Sequence, residues 1–330
     1  FSSREPDKII AARIGHAGGV VIGRGKDENF IASDIPAILE HTRQLIFLES
    51  RQMAVVTQQG VKITTIEGNP VEIQLSTVAW DPVSAEKGEY RHFMQKEIHE
   101  QVRSLTDTLA GRVNFVDGSI RLPELNLNPE KAKNIHKIVL TACGTASHAG
   151  MVGRILIERI ARIPAVMEIA SEFRYSDPIV DEHTTVIAIS QSGETADTLA
   201  AMEEARKKGS TIWSIVNAIG SQAMRVADGY ISMQTGPEIG VASTKAFTAP
   251  LVDLYMLAVL MADQRGTLPV KDRQRLVKDL SLVPELAGRC LDREGEVEAT
   301  AELLKDSRDM LYLGRGINIP IAYEGALKLK

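Results

Sequence analysis

From residue 135 onward, short apolar runs alternate with segments in which apolar residues recur at helical spacing. The apolar runs read KIVLTA, AVMEIA, TVIAIS, TIWSIV and ADGYISM, and the helical segments include SHAGMVGRILIERIAR and ETADTLAAMEEARKKG. Strands that alternate with helices in this way predict an α/β fold with a doubly wound parallel sheet. A long apolar helix, TKAFTAPLVDLYMLAVLMADQ, follows the last of these strands, and amphipathic helices come after it.

The chain before residue 135 has a different pattern. Residues 8 to 78 are rich in strand signals, and QMAVVTQQGVKITTI predicts a hairpin that turns at residues 58–60. The segment GEYRHFMQKEIHEQVRSLTDTLAGR is polar and helical, with Gly111 near its C-terminal cap. Near the end, DMLYLGRGINIPIAYEGALK repeats the strand, glycine turn and helix layout of KIVLTACGTASHAGMVGRIL. These patterns predict five segments: a β-rich unit at residues 1–78, a helical linker at 79–128, an α/β unit at 129–268, a helical connection at 269–300 and the start of a second α/β unit at 301–330.

Both ends of the chain lack the usual signals of a terminus. The sequence opens with FSSREPDK and no Met, and it stops inside the helical pattern IAYEGALKLK without a residue that ends a helix. We interpret the chain as an internal part of a longer protein.

Composition narrows the class of protein. Apolar residues make up 44% and charged residues 25%, and the formal net charge of -5 gives no basic field for nucleic acid or an anionic membrane. Cys143 and Cys290 cannot form a disulfide framework, which predicts a reducing compartment and a cytoplasmic protein. The most apolar stretch contains Pro250 and Asp253, so we predict a core helix there and no membrane span.

The sequence SQSGET at residues 190–195 lies between an apolar strand and a helix. In open α/β sheets, ligands bind beyond the carboxyl ends of the strands, and helix N-termini favour anions. Ser190, Ser192 and Thr195 supply hydroxyl groups and Gln191 an amide, while Gly193 lets the backbone approach a ligand. The alternative is that Ser192 is only a helix cap, which is the commoner use of such a serine. Because no Walker A or GxGxxG motif is present, the group favours a sugar monophosphate over a nucleotide.

The sequence alone does not decide the role of the other polar segments. The turn ACGTAS at 142–147 follows the first strand of the α/β unit, and EIGVASTKAF leads into the long helix, where Ser243 or Thr244 is a plausible cap. Cys143 has no base placed beside it, which favours packing over nucleophilic chemistry. The seven histidines lack ligand spacing and predict no metal site. An i,i+4 pair of Lys96 with Glu100 explains the charges of MQKEIHEQ without a functional role.

Several motifs taken together resemble a known family. ACGT, EIASEFRY, SQSGETADT, EIGVASTKAFT, LGRG and EGALKLK occur in this order and resemble the isomerase part of the glutamine–fructose-6-phosphate aminotransferase (isomerizing) family, the glucosamine-6-phosphate synthases. DENFIASD and YRHFMQKEIHEQ resemble the glutaminase end and the linker of the same family. The resemblance covers nearly the whole chain. It implies a truncated, β-rich remnant of an N-terminal-nucleophile glutaminase, then a sugar isomerase (SIS) domain and the start of a second one.

The resemblance also implies a reaction. The family takes ammonia from glutamine, transfers it to fructose 6-phosphate and isomerises the product to glucosamine 6-phosphate, without an organic cofactor and as a homodimer. Position by position, the substrate-binding residues correspond to Thr145, Ser190, Gln191, Ser192 and Thr195 around the phosphate and to Val241 and Ser243 at the sugar. Glu324 and Lys328 of EGALKLK correspond to the reaction centre.

The chain departs from the family pattern at a few positions. Ala146 replaces a serine that is common after CGT, and Val102 replaces a proline in the linker motif. The family's nucleophilic cysteine would precede residue 1, and its isomerisation base, ring-opening histidine and Schiff-base lysine would follow Lys330, so we expect these 330 residues alone to be inactive. The alternatives are another SIS-domain isomerase or deglycase without ammonia transfer, and a sugar-phosphate sensor without catalysis.

Overall fold

The computed structural model describes residues 2–15, 19–78 and 86–330. The first residues of the predicted linker, 79–85, lie outside this part. Up to residue 78, the described residues form two antiparallel sheets of strand order β1-β5-β6 and β3-β2-β4-β7. The strands are β1 (Lys8–Arg13), β2 (Val21–Arg24), β3 (Asn29–Ala32), β4 (Gln44–Phe47), β5 (Gln52–Thr57), β6 (Gly60–Thr65) and β7 (Ser76–Thr77).

The predicted hairpin is present in this N-terminal β-block, as we call residues 2–78. Strands β5 and β6 pair antiparallel with Thr57 opposite Gly60, so the turn falls where the sequence places it. Alternate residues of β5, Ala54 and Val56, are buried with Ile22 and Ile46 from the other sheet. The period-two pattern of the sequence therefore gives the β-block its own small core.

Two helices and a hairpin follow. Helices α1 (Phe93–His99) and α2 (Gln101–Leu109) lie in the predicted helical segment, and Gly111 has the positive φ of +72° that is common just after a helix ends. The short strands β8 (Val113–Asn114) and β9 (Ser119–Ile120) pair, and helix α3 (Pro129–Asn134) leads into the α/β unit.

The α/β unit contains a parallel sheet whose described strands have the order β11-β10-β12-β13-β14. Its strands are β10 (Lys137–Ala142), β11 (Ala165–Ile169), β12 (Thr184–Ser190), β13 (Thr211–Val216) and β14 (Gly229–Ser232). Its helices are α4 (Thr145–Leu156), α5 (Ala170–Phe173), α6 (Ala196–Lys207), α7 (Gln222–Val226) and α8 (Lys245–Gln264). The prediction of a doubly wound α/β fold is confirmed.

Apolar cores lie on both faces of this sheet. Ile138 and Leu140 of β10 pack with α8, while Val139 between them packs with α6 on the opposite face. Helix α8 is long and apolar enough to cross a membrane, but 72% of its apolar window is buried inside this fold. It forms the centre of the larger core, as the sequence predicts.

The C-terminal part of the chain is helical, with α9 (Val270–Leu280), α10 (Val283–Leu291), α11 (Glu294–Leu304) and α12 (Asn318–Leu329). The repeat predicts a strand at about 309–313, and this prediction is wrong: the structure has no strand there, and Leu311 and Leu313 are each 88% exposed. A parallel strand is stable only when neighbouring strands complete its hydrogen bonds, and no described strand pairs with this segment. Helix α12 packs instead against α4.

Candidate functional site

The site lies where the strand order of the sheet reverses direction. From β10 the chain continues to β11 on one side, whereas β12 pairs with the other side of β10. The turns after β10 and β12 therefore meet at a switch point, which is the usual ligand position in this class of sheet. A cavity of about 460 Å³ opens there.

The structure brings the residues predicted to be functional to this cavity from separate parts of the chain. Eight of them line it: Thr145, Ser190, Gln191, Ser192, Thr195, Val241, Ser243 and Lys328. The ninth, Glu324, is 5% exposed and is hydrogen bonded to Thr145 of the cavity wall.

Residues 190–195, which we call the anion turn, are held by their own hydroxyl groups. The N–H of Gly193 donates to Ser190 Oγ at 3.0 Å, and the N–H of Glu194 donates to Ser192 Oγ at 3.2 Å. Gly193 has a φ of +64°, and a Cβ there would overlap Ser221 Oγ, so a glycine is required on both counts. The turn is thus a compact loop whose polar residues Ser190, Gln191, Ser192 and Thr195 line the cavity.

The idea that Ser192 is a helix cap is wrong. Helix α6 begins at Ala196, its N-cap is Thr195, and no side chain in the described part of the molecule caps it. The Thr195 hydroxyl is 3.1 Å from Ser190 Oγ instead. The first turn of α6 therefore keeps its N–H groups and its partial positive charge for an anion in the cavity.

The loop before α8 is organised by an acid that sequence reasoning missed. Glu238 accepts hydrogen bonds from the N–H groups of Thr244 at 2.8 Å and Ala246 at 3.1 Å, and its second oxygen accepts from Ser243 Oγ at 2.7 Å. Thr244 is the N-cap residue of α8, as one of the two alternatives predicts, but its side chain makes no cap hydrogen bond, and the Glu238 carboxylate accepts from the first N–H groups instead. Val241 is left fully exposed at the cavity.

Helix α1 holds the same loop from the other side. Glu97, buried at 2% exposure, accepts from the N–H groups of Ile239 at 2.6 Å and Gly240 at 3.0 Å. Burial raises the pKa of Glu97, and the two N–H donors only partly oppose this. Glu100 pairs with Lys96 at 3.1 Å, as predicted, but also with buried Lys245 at 2.7 Å. The charges of MQKEIHEQ thus position the loop, and their three-residue spacing on one helix face is the signal for this in the sequence.

A polar cluster around Thr145 and Lys328 lines the same cavity as the anion turn. Lys328 Nζ lies 2.7 Å from Glu324 Oε1, an i,i+4 pair of α12, and it donates to Thr145 Oγ1 at 3.0 Å. Thr145 Oγ1 in turn donates to Glu324 Oε1 at 3.0 Å. His148 Nδ1 lies 2.8 Å from the other Glu324 oxygen. Sequence reasoning missed His148, although it is three residues after Thr145 and so shares its face of α4.

Cys143 lies at the cavity edge and is half-buried. Burial raises the pKa of its thiol, and it packs against the core under α6. Both features fit the packing role that the sequence favours and oppose the thiolate that a nucleophile requires.

Comparisons with known proteins agree with this fold. Residues 132–260 match the family model of the SIS domain. The glutamine–fructose-6-phosphate aminotransferase (isomerizing) of Symbiobacterium thermophilum is 46% identical over 327 residues, covering 99% of this chain and 53% of that protein. The protein of the same name from a strain of Thermus thermophilus is 44% identical over 324 residues, covering 98% of this chain and 53% of its own. The chain thus spans about half the length of the curated relatives it matches.

A solved structure gives the same result in three dimensions. The C-terminal domain of glucosamine-fructose-6-phosphate aminotransferase from Francisella tularensis is 36% identical, with a TM-score of 0.70, and the match covers 74% of this chain and 68% of that one.

The doubly wound sheet, the cavity at its switch point and the match over residues 132–260 define an α/β protein with a SIS domain. Sequence identity to the relatives over nearly the whole chain then identifies the family within this class. The chain belongs to the glutamine–fructose-6-phosphate aminotransferase (isomerizing) family, which confirms the resemblance drawn from the motifs.

Proposed function

We propose that the cavity binds a sugar monophosphate, fructose 6-phosphate, with the phosphate at the anion turn. The observation that carries this proposal is the uncapped first turn of α6, which adjoins a hydroxyl-lined wall built from the chain-distant residues Thr145 and Ser192. Backbone N–H groups with a helix dipole and neutral hydroxyl groups suit a phosphate monoester dianion. Val241 and Ser243 lie where the sugar carbons would extend from that phosphate.

Glu324 and Lys328, which correspond to the reaction centre of the family, then face the reacting end of the sugar. Isomerisation moves a proton between adjacent carbons and requires a positioned acid or base. Both Glu324 oxygens already accept donors, Thr145 and Lys328 on one and His148 on the other. We infer that Glu324 and Thr145 orient Lys328, and that the remaining N–H of the Lys328 ammonium stabilises negative charge on the sugar oxygen during proton transfer.

For the whole protein, we propose the reaction named by its relatives, in which glutamine-derived ammonia is transferred to fructose 6-phosphate and the product is isomerised to glucosamine 6-phosphate. The N-terminal β-block is then the remnant of the glutaminase domain. A homodimeric, cytoplasmic enzyme of amino sugar synthesis, without nucleic-acid or membrane partners, follows from the same proposal.

The test is a calorimetric titration of the 330-residue chain with fructose 6-phosphate. Replacing both Ser192 and Thr195 by Ala removes two hydroxyl groups from the anion turn. Each hydrogen bond to a charged group contributes about 1.5–3 kcal/mol, so we expect affinity to fall by roughly tenfold or more per hydroxyl. Ser281→Ala, an exposed serine after α9, is the matched control and should bind like the wild type.

Unchanged affinity in the double variant would end the assignment of the phosphate to this turn. The remaining alternatives are distinguished by supplying the longer protein with fructose 6-phosphate and glutamine and identifying the product. Glucosamine 6-phosphate supports the proposed reaction, isomerised sugar phosphate without ammonia transfer supports a simple isomerase, and binding without conversion supports a sensor.

A further inference from the structure

Arg13, at the end of β1, is a cation of the N-terminal β-block that is buried against the α/β unit. It is 3% exposed. Its Nη1 donates to the carbonyl of Leu48 at 3.0 Å, within the β-block. Its Nη2 donates to Glu194 Oε2 at 2.8 Å and to the side-chain oxygen of Gln222, both in the α/β unit. One guanidinium thus joins the two units directly behind the anion turn.

Glu194 is the acid of the anion turn itself. Its second oxygen, Oε1, accepts from the N–H of Gln222 at 2.7 Å, and the N–H of Ala223 donates to the carbonyl of Gly193 at 3.0 Å. The start of α7 is therefore bonded to the back of the anion turn at two points. Arg13 contacts both members of this arrangement, Glu194 and Gln222.

A buried ion pair requires an explanation, because both charges lose their hydration. Such a pair is tolerated when further hydrogen bonds satisfy the remaining polar atoms, and removal of one partner leaves the other charge buried and unpaired. Here the carboxylate has a donor on each oxygen and the guanidinium has acceptors in both units, while Arg13 Nε has no partner among the described residues. The arrangement fixes the Glu194 side chain, and Glu194 lies between two residues of the anion turn that face the cavity, Ser192 and Thr195.

We propose that Arg13 is a positioning residue for the phosphate: it holds Glu194 and thereby keeps the anion turn in the geometry that receives the ligand. This rests on the proposed function, since it requires the turn to bind phosphate. The β-block is then a structural part of the sugar-phosphate site. Because coupling between sites is reciprocal, an occupied anion turn must in turn stabilise the contact of the β-block.

The first test is a double-mutant cycle on fructose 6-phosphate affinity. We expect Arg13→Gln and Glu194→Gln each to weaken binding by about tenfold, within the usual range of coupling between sites. The double variant should be no weaker than either single variant, because both changes remove the same contact. Arg51→Gln, which breaks the exposed Arg51–Glu67 pair of the same β-block, is the control and should bind like the wild type.

The second test is amide hydrogen exchange with and without ligand. If Arg13 only stabilised the fold, adding the ligand would not change the exchange rates in the β-block. Fructose 6-phosphate should slow amide exchange in β4 and in residues 48–52 of the wild type, and this distant protection should disappear in Glu194→Gln. That variant leaves Arg13 in place, so it also serves if Arg13→Gln does not fold.

The outcomes separate this proposal from the one on which it rests. Tight binding by wild type, Arg13→Gln and Glu194→Gln alike, with no ligand-dependent protection in the β-block, overturns the positioning role and leaves the phosphate site intact. If the wild type itself binds no fructose 6-phosphate, both proposals fall.

Discussion

Asp253 is a carboxyl group in the middle of the most apolar helix, α8, and it is fully buried. Its Oδ1 lies 3.2 Å from Arg112 Nη1, while its Oδ2 has no partner in the described part of the chain. Arg112 also donates to the carbonyls of Thr108 and Ser232, so its charge is shared among several acceptors. Burial therefore outweighs the cation and raises the pKa of Asp253 to about 8.

This residue predicts a pH dependence of stability. The carboxyl is protonated in the fold and ionised in the unfolded chain between its ordinary pKa of 3.8 and about 8, so its contribution is largest at low pH and is lost as the pH rises through that window. Asp253→Asn does not titrate and keeps an oxygen for Arg112. We expect the wild type to lose up to about 1.4 kcal/mol per pH unit relative to this variant. Urea unfolding of both proteins across the window measures it, and a constant difference would show that Asp253 is ionised in the fold.

Single residues also show what the sequence could and could not reveal about the site. The cluster SQSGET and the motif EGALKLK indicated Ser192 and Lys328 because hydroxyl groups and charges concentrate there within a few positions. His148 and Glu97 carry only a weak local signal, their three-residue spacing from Thr145 and from Glu100. Their partners, Glu324 and the 239–240 backbone, are more than a hundred residues away in the chain, and only tertiary packing brings them together.

At the scale of elements, the loop 238–243 depends on helix α1 for its position. Glu97 supplies acceptors for the N–H groups of Ile239 and Gly240. A buried, unpaired N–H costs about 1–3 kcal/mol, so the loop would move to recover hydration if Glu97 were absent. Val241 and Ser243 would move with it.

We therefore expect Glu97→Ala to weaken fructose 6-phosphate binding, whereas Glu97→Gln keeps an amide oxygen for both N–H groups and should bind nearly as the wild type does. Burial raises the pKa of Glu97, which makes the neutral amide a close substitute. Glu130→Ala, an exposed acid in the first turn of α3, is the control for the loss of one charge. Calorimetry on the variants decides the matter: an alanine variant that binds normally would mean that the loop is positioned without α1.

The elements themselves were predictable where periodicity is strong. The parallel strands of the α/β unit are apolar runs with turn signals at both ends, and each forms where its run lies. The segment 309–313 has the same apolar character but is not a strand. A local pattern reports how a segment could pair, while the available partner decides whether it does.

At the scale of the whole molecule, a few side chains join the N-terminal β-block to the α/β unit. The Arg225 guanidinium lies over the Phe47 ring at 5.2 Å from its centroid, and Arg225 Nε lies 2.8 Å from Glu49. With Arg13, these contacts attach the turn before α7 and α7 itself to the β4–β5 region. No sequence pattern indicated this interface, because its residues are ordinary charged and aromatic side chains on segments far apart in the chain.

A pair of glycines tests how closely these units pack. Gly209 and Gly220 both have positive φ, of +89° and +78°, so Ala at either costs about 1–2 kcal/mol of backbone strain. At Gly209 the nearest atom to an added Cβ is 4.0 Å away, whereas at Gly220 the Cβ would lie 3.1 Å from the Phe47 ring. Arg225 also lies over the Phe47 ring and limits its movement, so we expect Gly220→Ala to destabilise the protein by about 1–3 kcal/mol more than Gly209→Ala does.

Urea unfolding of the two variants measures this difference, and a second substitution assigns its cause. Phe47→Leu shortens the side chain that the new Cβ would meet, so it should reduce the cost of Gly220→Ala and leave the cost of Gly209→Ala unchanged. If the β-block is packed loosely, Phe47 can move away from the added methyl group, and the two glycine substitutions then lower the free energy of unfolding by the same amount. Arg13 can hold the anion turn in place only if the β-block itself does not move when it is pushed. The difference in unfolding free energy between the two glycine variants therefore also tests whether the β-block is rigid enough for this role.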